Sequence, residues 1–169
     1  MTLSHSAKIC LGAVFTSTVF MLQASSVFLP VLGPLLGAAC IVFVAVSAVL
    51  LKSRAVLVYL GAGFLTLTVS PRYAFEFLLT TGFAGLTLGL LQSRKPALAL
   101  LVSFSGMLAG LWGLSSLLGT AAFGGLLAGL PICACLPVFT VFAAVYPAAG
   151  LVVLKRAMKM RIIPACYCY

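Results

Sequence analysis

From Ala97 to Leu154 the chain runs for 58 residues without an Asp, Glu, Lys or Arg. A helix crossing the hydrocarbon core of a bilayer needs about 20 predominantly apolar residues. This run is therefore too long for one crossing and suits two. Upstream the same pattern repeats on a shorter scale, with a few basic residues punctuating apolar stretches. Charged residues make up only 7% of the chain, hydrophobic residues 64%, and the mean hydropathy is +1.31. A water-facing surface draws on about 25% charged residues, and a disordered chain needs low hydrophobicity, so both classes are excluded. The fold class that remains is all-α: a polytopic integral membrane helical bundle.

Charges, prolines and glycines divide the chain into six spans: Ile9 to Leu29, Leu35 to Leu51, Ala55 to Ser70, Tyr73 to Leu91, Ala97 to Leu118 and Ile132 to Leu154. The last two are separated where Gly119, Gly124, Gly125, Gly129 and Pro131 cluster, a segment that is itself apolar and reads as either a loop or a re-entrant element. The chain is one transmembrane domain over residues 1–169, with a short basic tail over residues 155–169. Placing both termini on one side puts Lys8, Lys52, Arg54, Arg94, Lys95, Lys155, Arg156, Lys159 and Arg161 on that side and Arg72 alone on the other. The positive-inside rule then makes the richer side cytoplasmic. The apolar run after Lys8 continues to Leu29, longer than the apolar core of a signal peptide, so the first span is expected to be retained.

The net charge of +9 raises the question of nucleic acid. The basic residues, however, are scattered between apolar runs rather than gathered on one polar face, which is how cytoplasmic loops look. Catalysis is poorly supplied. Glu76 is the only acid, His5 the only histidine, and there is no Asp. Paired carboxylates, HExxH, GxSxG and a Walker lysine motif are all missing from the sequence. An ATPase needs an acidic residue to handle Mg²⁺ and phosphate, which this chain does not provide. No enzyme activity and no cofactor are expected. Cys133 and Cys135 make one CxC pair and Cys166 and Cys168 another, but the topology puts them on opposite sides, with no histidine to complete a tetrahedral site. They read as small apolar residues and reduced thiols, with no metal.

Two features point to helix packing. Glycines recur four apart at Gly33–Gly37, Gly85–Gly89, Gly106–Gly110 and Gly125–Gly129, with Ala144 and Ala148 similarly spaced. Such spacing flattens one helix face and lets backbones approach. It serves packing within the bundle or docking of another subunit, and Gly85, Gly89, Gly106 and Gly110 are the docking candidates because they lie inside spans. Pro137 and Pro147 fall inside the sixth span and each removes a helix hydrogen bond. They imply either a static kink or a broken helix lining a cavity.

One polar constellation stands out, Ser70-Pro71-Arg72-Tyr73-Ala74-Phe75-Glu76, opening the fourth span at the outer face. Ser70 suits an N-cap and Pro71 the first helical position. Arg72 and Glu76 are four apart, hence on one helix face and able to pair. An ionisable group inside a span marks a candidate functional site. The alternatives are a structural ion pair and a ligand cavity open to the outside. Gln23, Tyr59, Thr66, Thr68, Thr80, Thr81, Ser103, Ser105, Trp112, Ser115 and Ser116 are the further polar and aromatic candidates.

The layout resembles the S-components of energy-coupling-factor transporters, small membrane subunits that capture vitamins or metal ions from outside. The resemblance is carried by Phe28-Leu29-Pro30-Val31-Leu32-Gly33-Pro34, by Thr81-Gly82-Phe83-Ala84-Gly85-Leu86-Thr87-Leu88-Gly89-Leu90-Leu91 followed by Arg94-Lys95, and by Tyr146-Pro147 leading to Leu154-Lys155-Arg156. The second string also resembles the YybS-like membrane proteins. The resemblance implies a multi-pass protein of the bacterial plasma membrane that binds a small molecule or ion. It also implies, as partners besides lipid, a coupling subunit and ATPases. The alternatives are a membrane scaffold or assembly protein without a ligand, and a self-contained carrier or channel.

Overall fold

The computed structural model describes residues 4–29, 32–92, 95–118 and 131–159, and all regular structure among them is helical. Helix α1 (His5–Phe28) starts at Ser4, whose side chain accepts from the Ala7 N–H at 3.2 Å, and ends where Leu29 turns extended. Helix α2 (Gly33–Leu51) begins against the last turn of α1. A Cβ on Gly33 would lie 2.4 Å from the Ser25 carbonyl oxygen, so only glycine fits this approach. Lys52 takes φ 53°, and a 3-10 turn over Lys52–Arg54 leads into α3 (Ala55–Val69). Then follow α4 (Pro71–Glu76), a π-helical turn over Phe77–Thr81, and α5 (Gly82–Leu91). Helices α6 (Pro96–Leu118) and α7 (Ile132–Lys159) are the last described elements.

Five helical stretches are long and apolar enough to cross a membrane: His5–Phe28, Leu35–Val69, Pro71–Leu91, Pro96–Leu117 and Cys133–Lys159. The second has 35 residues. As one straight helix it would be about 52 Å long against a hydrocarbon core of about 30 Å. It is not straight. Gly12 of α1 faces both Leu51, at the end of α2, and Val58, one turn into α3. Further along α1, Thr16 meets Gly61 of α3, while Val19 meets Cys40 of α2. The chain therefore reverses at Lys52, and α3 runs back beside α1.

The boundaries depart from the sequence reading in a few places. α1 begins at His5 rather than Ile9, because Ser4 caps it. α7 continues through Lys155 and Arg156 to Lys159, so the first part of the expected tail is helix. Basic side chains at a helix C-terminus complement its dipole, which favours this extension. Neither Pro137 nor Pro147 ends α7, which is continuous rather than broken. The segment 119–130, Cys166 and Cys168 lie outside the described residues.

Helix α2 is the shared wall of two apolar clusters. On one side Ile41, Ala45 and Val49 pack with Leu88, Met107, Leu111 and Phe139 from α5, α6 and α7. On the other, Cys40, Val44 and Ala48 pack with Val19, Val58, Ala62 and Phe77. Large apolar side chains such as Phe64, Leu57, Leu101 and Leu117 point outward, at 65–80% exposure, while Ser47, Thr66 and Ser103 are fully buried. That arrangement suits a hydrocarbon solvent and not water. Two of these buried hydroxyls donate to carbonyls of their own helix, Thr66 to Ala62 at 2.8 Å and Ser47 to Val44 at 2.7 Å, which satisfies them away from water.

Candidate functional site

Helix α4 sets the site. Ser70 is extended at the N-cap position and Pro71 opens the helix, but the Ser70 side chain makes no capping bond. Its carbonyl instead accepts from the Ala74 N–H at 3.1 Å. One turn on is Glu76, followed at once by the π turn. In an α-helix Thr80 would sit near the face of Glu76, and Thr81 about 140° away from it. The wider turn, closed by the Gly82 N–H on the Phe77 carbonyl, brings Thr81 back to the Glu76 side. Gly82 makes this possible, since a Cβ there would lie 2.8 Å from the Phe77 carbonyl oxygen.

Arg72, Tyr73, Glu76, Thr80 and Thr81 all line one cavity of about 510 Å³. Its other walls come from Gln23 and Ser26 of α1, the first turns of α2, Leu111 of α6, and the α7 face that carries Phe139, Phe142 and Tyr146. The volume lies in the range typical of small-molecule sites. Several of its polar groups are already engaged. Tyr146 donates its hydroxyl to the Ala38 carbonyl, tying α7 to α2. Ser26 donates to the Gly33 carbonyl at 3.0 Å, and Thr80 to the Glu76 carbonyl. The Gln23 amide nitrogen donates to the Tyr73 carbonyl at 3.4 Å.

Others are not engaged. Gln23 is 4% exposed, and its Oε1 has no hydrogen-bond partner; Thr81 Oγ1 has none either. No described residue forms an ion pair with the Glu76 carboxylate, so the expected Arg72–Glu76 bridge is absent. Arg72 is exposed, and its guanidinium lies 5.4 Å from the centre of the Tyr73 ring. The two share a helix face, as the spacing requires, but Arg72 extends outward while Glu76 is half-buried.

Of the other sequence candidates, Gln23, Thr80 and Thr81 line the cavity, whereas Tyr59, Thr66, Thr68, Ser103, Ser105, Trp112, Ser115 and Ser116 do not. Tyr59 donates to the Leu78 carbonyl at 2.6 Å on the far side of the π turn. Ser103 lies 2.6 Å from the Thr87 hydroxyl, joining α5 to α6. The glycine candidates are packed between helices of this chain. A Cβ on Gly85 or Gly89 would meet α2 at the Ile41 and Ala45 carbonyls, 2.7 and 2.4 Å away. On Gly106 it would meet the Phe83 ring at 2.1 Å, and on Gly110 the Leu79 carbonyl at 2.1 Å.

Sequence reasoning missed Tyr146, Ser26 and Phe142 as site residues. A signal for two of them was present. Phe142 and Tyr146 are four apart, a stacking distance on a helix, and the rings stack with centroids 5.1 Å apart. A tyrosine deep in an apolar span also needs a partner for its hydroxyl.

Comparison with models of known protein families, with characterised proteins and with solved structures finds no match. The chemistry of the site therefore rests on its own geometry. Among the described residues no three His, Cys, Asp or Glu side chains gather to hold a metal ion. The single histidine, His5, opens α1, whereas Gln23 near the other end of that helix reaches the site. Glu76 thus has no imidazole to work with. The arrangement offers acceptors, hydroxyls and aromatic faces around a space.

Proposed function

We propose that this chain is a multi-pass membrane protein that captures a small molecule in the Glu76 cavity, as the substrate-binding subunit of a transporter. The observation that carries the reading is the cavity itself: it gathers the chain's one acidic side chain, an orphaned buried amide oxygen and a stacked aromatic pair. Six crossings support an outward-facing mouth. The reversal at Lys52 divides the 35-residue apolar stretch into two helices. With six crossings the nine-to-one split of basic residues places both termini in the cytoplasm and Arg72, with the cavity beside it, outside. The chain would act without chemistry of its own and would depend on a coupling subunit and ATPases for energy, in keeping with its resemblance to S-components.

The experiment is native mass spectrometry of the protein purified from membranes. Retention of a small molecule by the wild type, and its loss in Glu76→Gln with the variant still folded, is the expected result. A scaffold predicts the reverse: no retained molecule and no difference between the two proteins. Equal retention by both would place the ligand elsewhere and defeat this reading. Subunits that co-purify in the same experiment identify the coupling partners.

A further inference from the structure

The unsatisfied groups in the cavity are not a neutral mixture, and their sign selects a ligand. We infer that the cavity takes a small organic cation, a protonated amine carried on an aromatic or apolar body, whose N–H groups are received by the Glu76 carboxylate and the Gln23 amide oxygen. The inference rests on the capture reading above and names its ligand class.

The orientation of the Gln23 amide is fixed by its surroundings. A carbonyl can only accept, so its contact with the Tyr73 carbonyl fixes which end of the amide is the nitrogen. The oxygen is then the free end, and Gln23 is a buried, unpartnered acceptor in the cavity lining. An ionised carboxylate is likewise acceptor-only, and no described residue pairs with that of Glu76. The donors point the other way. The hydroxyls of Ser26, Thr80 and Tyr146 are each given to a backbone carbonyl. Among the buried hydroxyls of the lining only that of Thr81 is unused, while the Tyr73 hydroxyl belongs to a half-buried side chain. The vacant hydrogen-bonding capacity of the interior is therefore mainly that of an acceptor, and a ligand that fits it must bring donors.

Charge and shape narrow the class further. Arg72, the only cation in the lining, is exposed at the rim and forms no ion pair with Glu76, whereas Glu76 and Gln23 lie deeper. An anion placed beside them would face a carboxylate in a poorly solvated space. A bare divalent ion is no better served, since Ca²⁺ takes 6–8 oxygen ligands and the site offers one carboxylate. An ammonium group is matched by the carboxylate, and its organic body by Phe139, Phe142, Tyr146, Leu111 and Val138. Aromatic faces also attract cations directly. Gly37 keeps the acceptor reachable: a Cβ there would stand 3.6 Å from Gln23 Oε1 and 2.6 Å from Ser26 Oγ.

The test uses three probes of similar size on the purified full chain in detergent: phenethylammonium, 2-phenylethanol and 3-phenylpropionate, each titrated calorimetrically. The ammonium should bind, with the alcohol and the carboxylate weaker by at least about tenfold, the worth of one charge-assisted hydrogen bond. Glu76→Gln and Gln23→Leu should each weaken the ammonium by a similar factor, with an unfolding transition confirming that each variant is folded. Since the three probes discriminate on the wild type alone, a variant that fails to fold leaves the test intact. Tighter binding of the carboxylate, lost in Arg72→Gln, would overturn the inference and keep the capture reading. Failure of the ammonium to bind, or equal binding by the wild type and Glu76→Gln, also overturns it. Whether a molecule is retained on purification then decides the capture reading separately.

Discussion

Gly110 and Gly113 sit one turn apart on α6 and occupy opposite environments. A Cβ on Gly110 would lie 2.1 Å from the carbonyl oxygen of Leu79 and 2.8 Å from its carbonyl carbon. Both are backbone atoms of the π turn and cannot swing aside as a side chain tip would. Gly113 has nothing within 4 Å. The same substitution should therefore have opposite signs at the two sites. Gly110→Ala pushes α6 away from the π turn and is expected to cost about 1–3 kcal/mol, the usual range for overpacking. Gly113→Ala meets no atom and lowers the conformational freedom of the unfolded chain, so it should be neutral or stabilising by up to about 1 kcal/mol. Reversible unfolding of the two variants in mixed micelles measures both. A destabilised Gly113→Ala, or a wild-type-like Gly110→Ala, would show that α6 does not pack on the turn as described. The four-residue spacing with Gly106 sets Gly110 apart in the sequence as a close-packing candidate and leaves Gly113 unmarked, but the atom that Gly110 meets is legible only in the distance to another helix.

At the scale of elements the decisive piece is the π turn over Phe77–Thr81. It positions Thr81 beside Glu76 and is permitted by Gly82. Restoring α-helical spacing should rotate Thr81 off the cavity. Gly82→Ala tests this, because its Cβ would crowd the Phe77 carbonyl that closes the turn. In a background with the native cysteines replaced, Thr81→Cys should react with a small water-soluble thiol reagent, and adding Gly82→Ala should slow that reaction by about tenfold or more, as expected for a thiol withdrawn from an accessible cavity. An unchanged rate would mean that Thr81 is reached by another route. Hydropathy delivered the helices well: α2, α3 and α6 each start or stop within two residues of the expected spans. It could not reveal the π turn, since Phe77-Leu78-Leu79-Thr80-Thr81 has no residue foreign to an α-helix. The site was legible in part for the same reason. Glu76, Arg72 and Gln23 are conspicuous as rare polar residues in an apolar chain. Their grouping with Tyr146, 70 positions after Glu76, depends on α7 folding back beside α2.

At the scale of the whole molecule, the orientation of the cavity turns on the number of crossings. If Leu35–Val69 crossed once, the chain would have five crossings and its termini would lie on opposite sides of the membrane. If the reversal at Lys52 is a true hairpin at the membrane surface, there are six, and the termini share a side. The local geometry favours the second: α2 and α3 approach α1 from opposite ends, with Gly12 facing both Leu51 and Val58. Charge favours it independently, because the hairpin places Lys52 and Arg54 together with Lys8, Lys155, Arg156 and Lys159. Single cysteines in a cysteine-free background decide the matter. With six crossings and cytoplasmic termini, Ser53→Cys should be labelled by a membrane-impermeant maleimide only after the membrane is opened, and Ser70→Cys in intact cells. Reporter fusions at the two ends should both be active in the cytoplasm. Termini on opposite sides would reject the six-crossing arrangement. Both termini outside would keep it but invert it, and the Glu76 cavity would then face the cytoplasm. An inward mouth could not capture a molecule from outside, so this one measurement bears on the function as directly as on the fold.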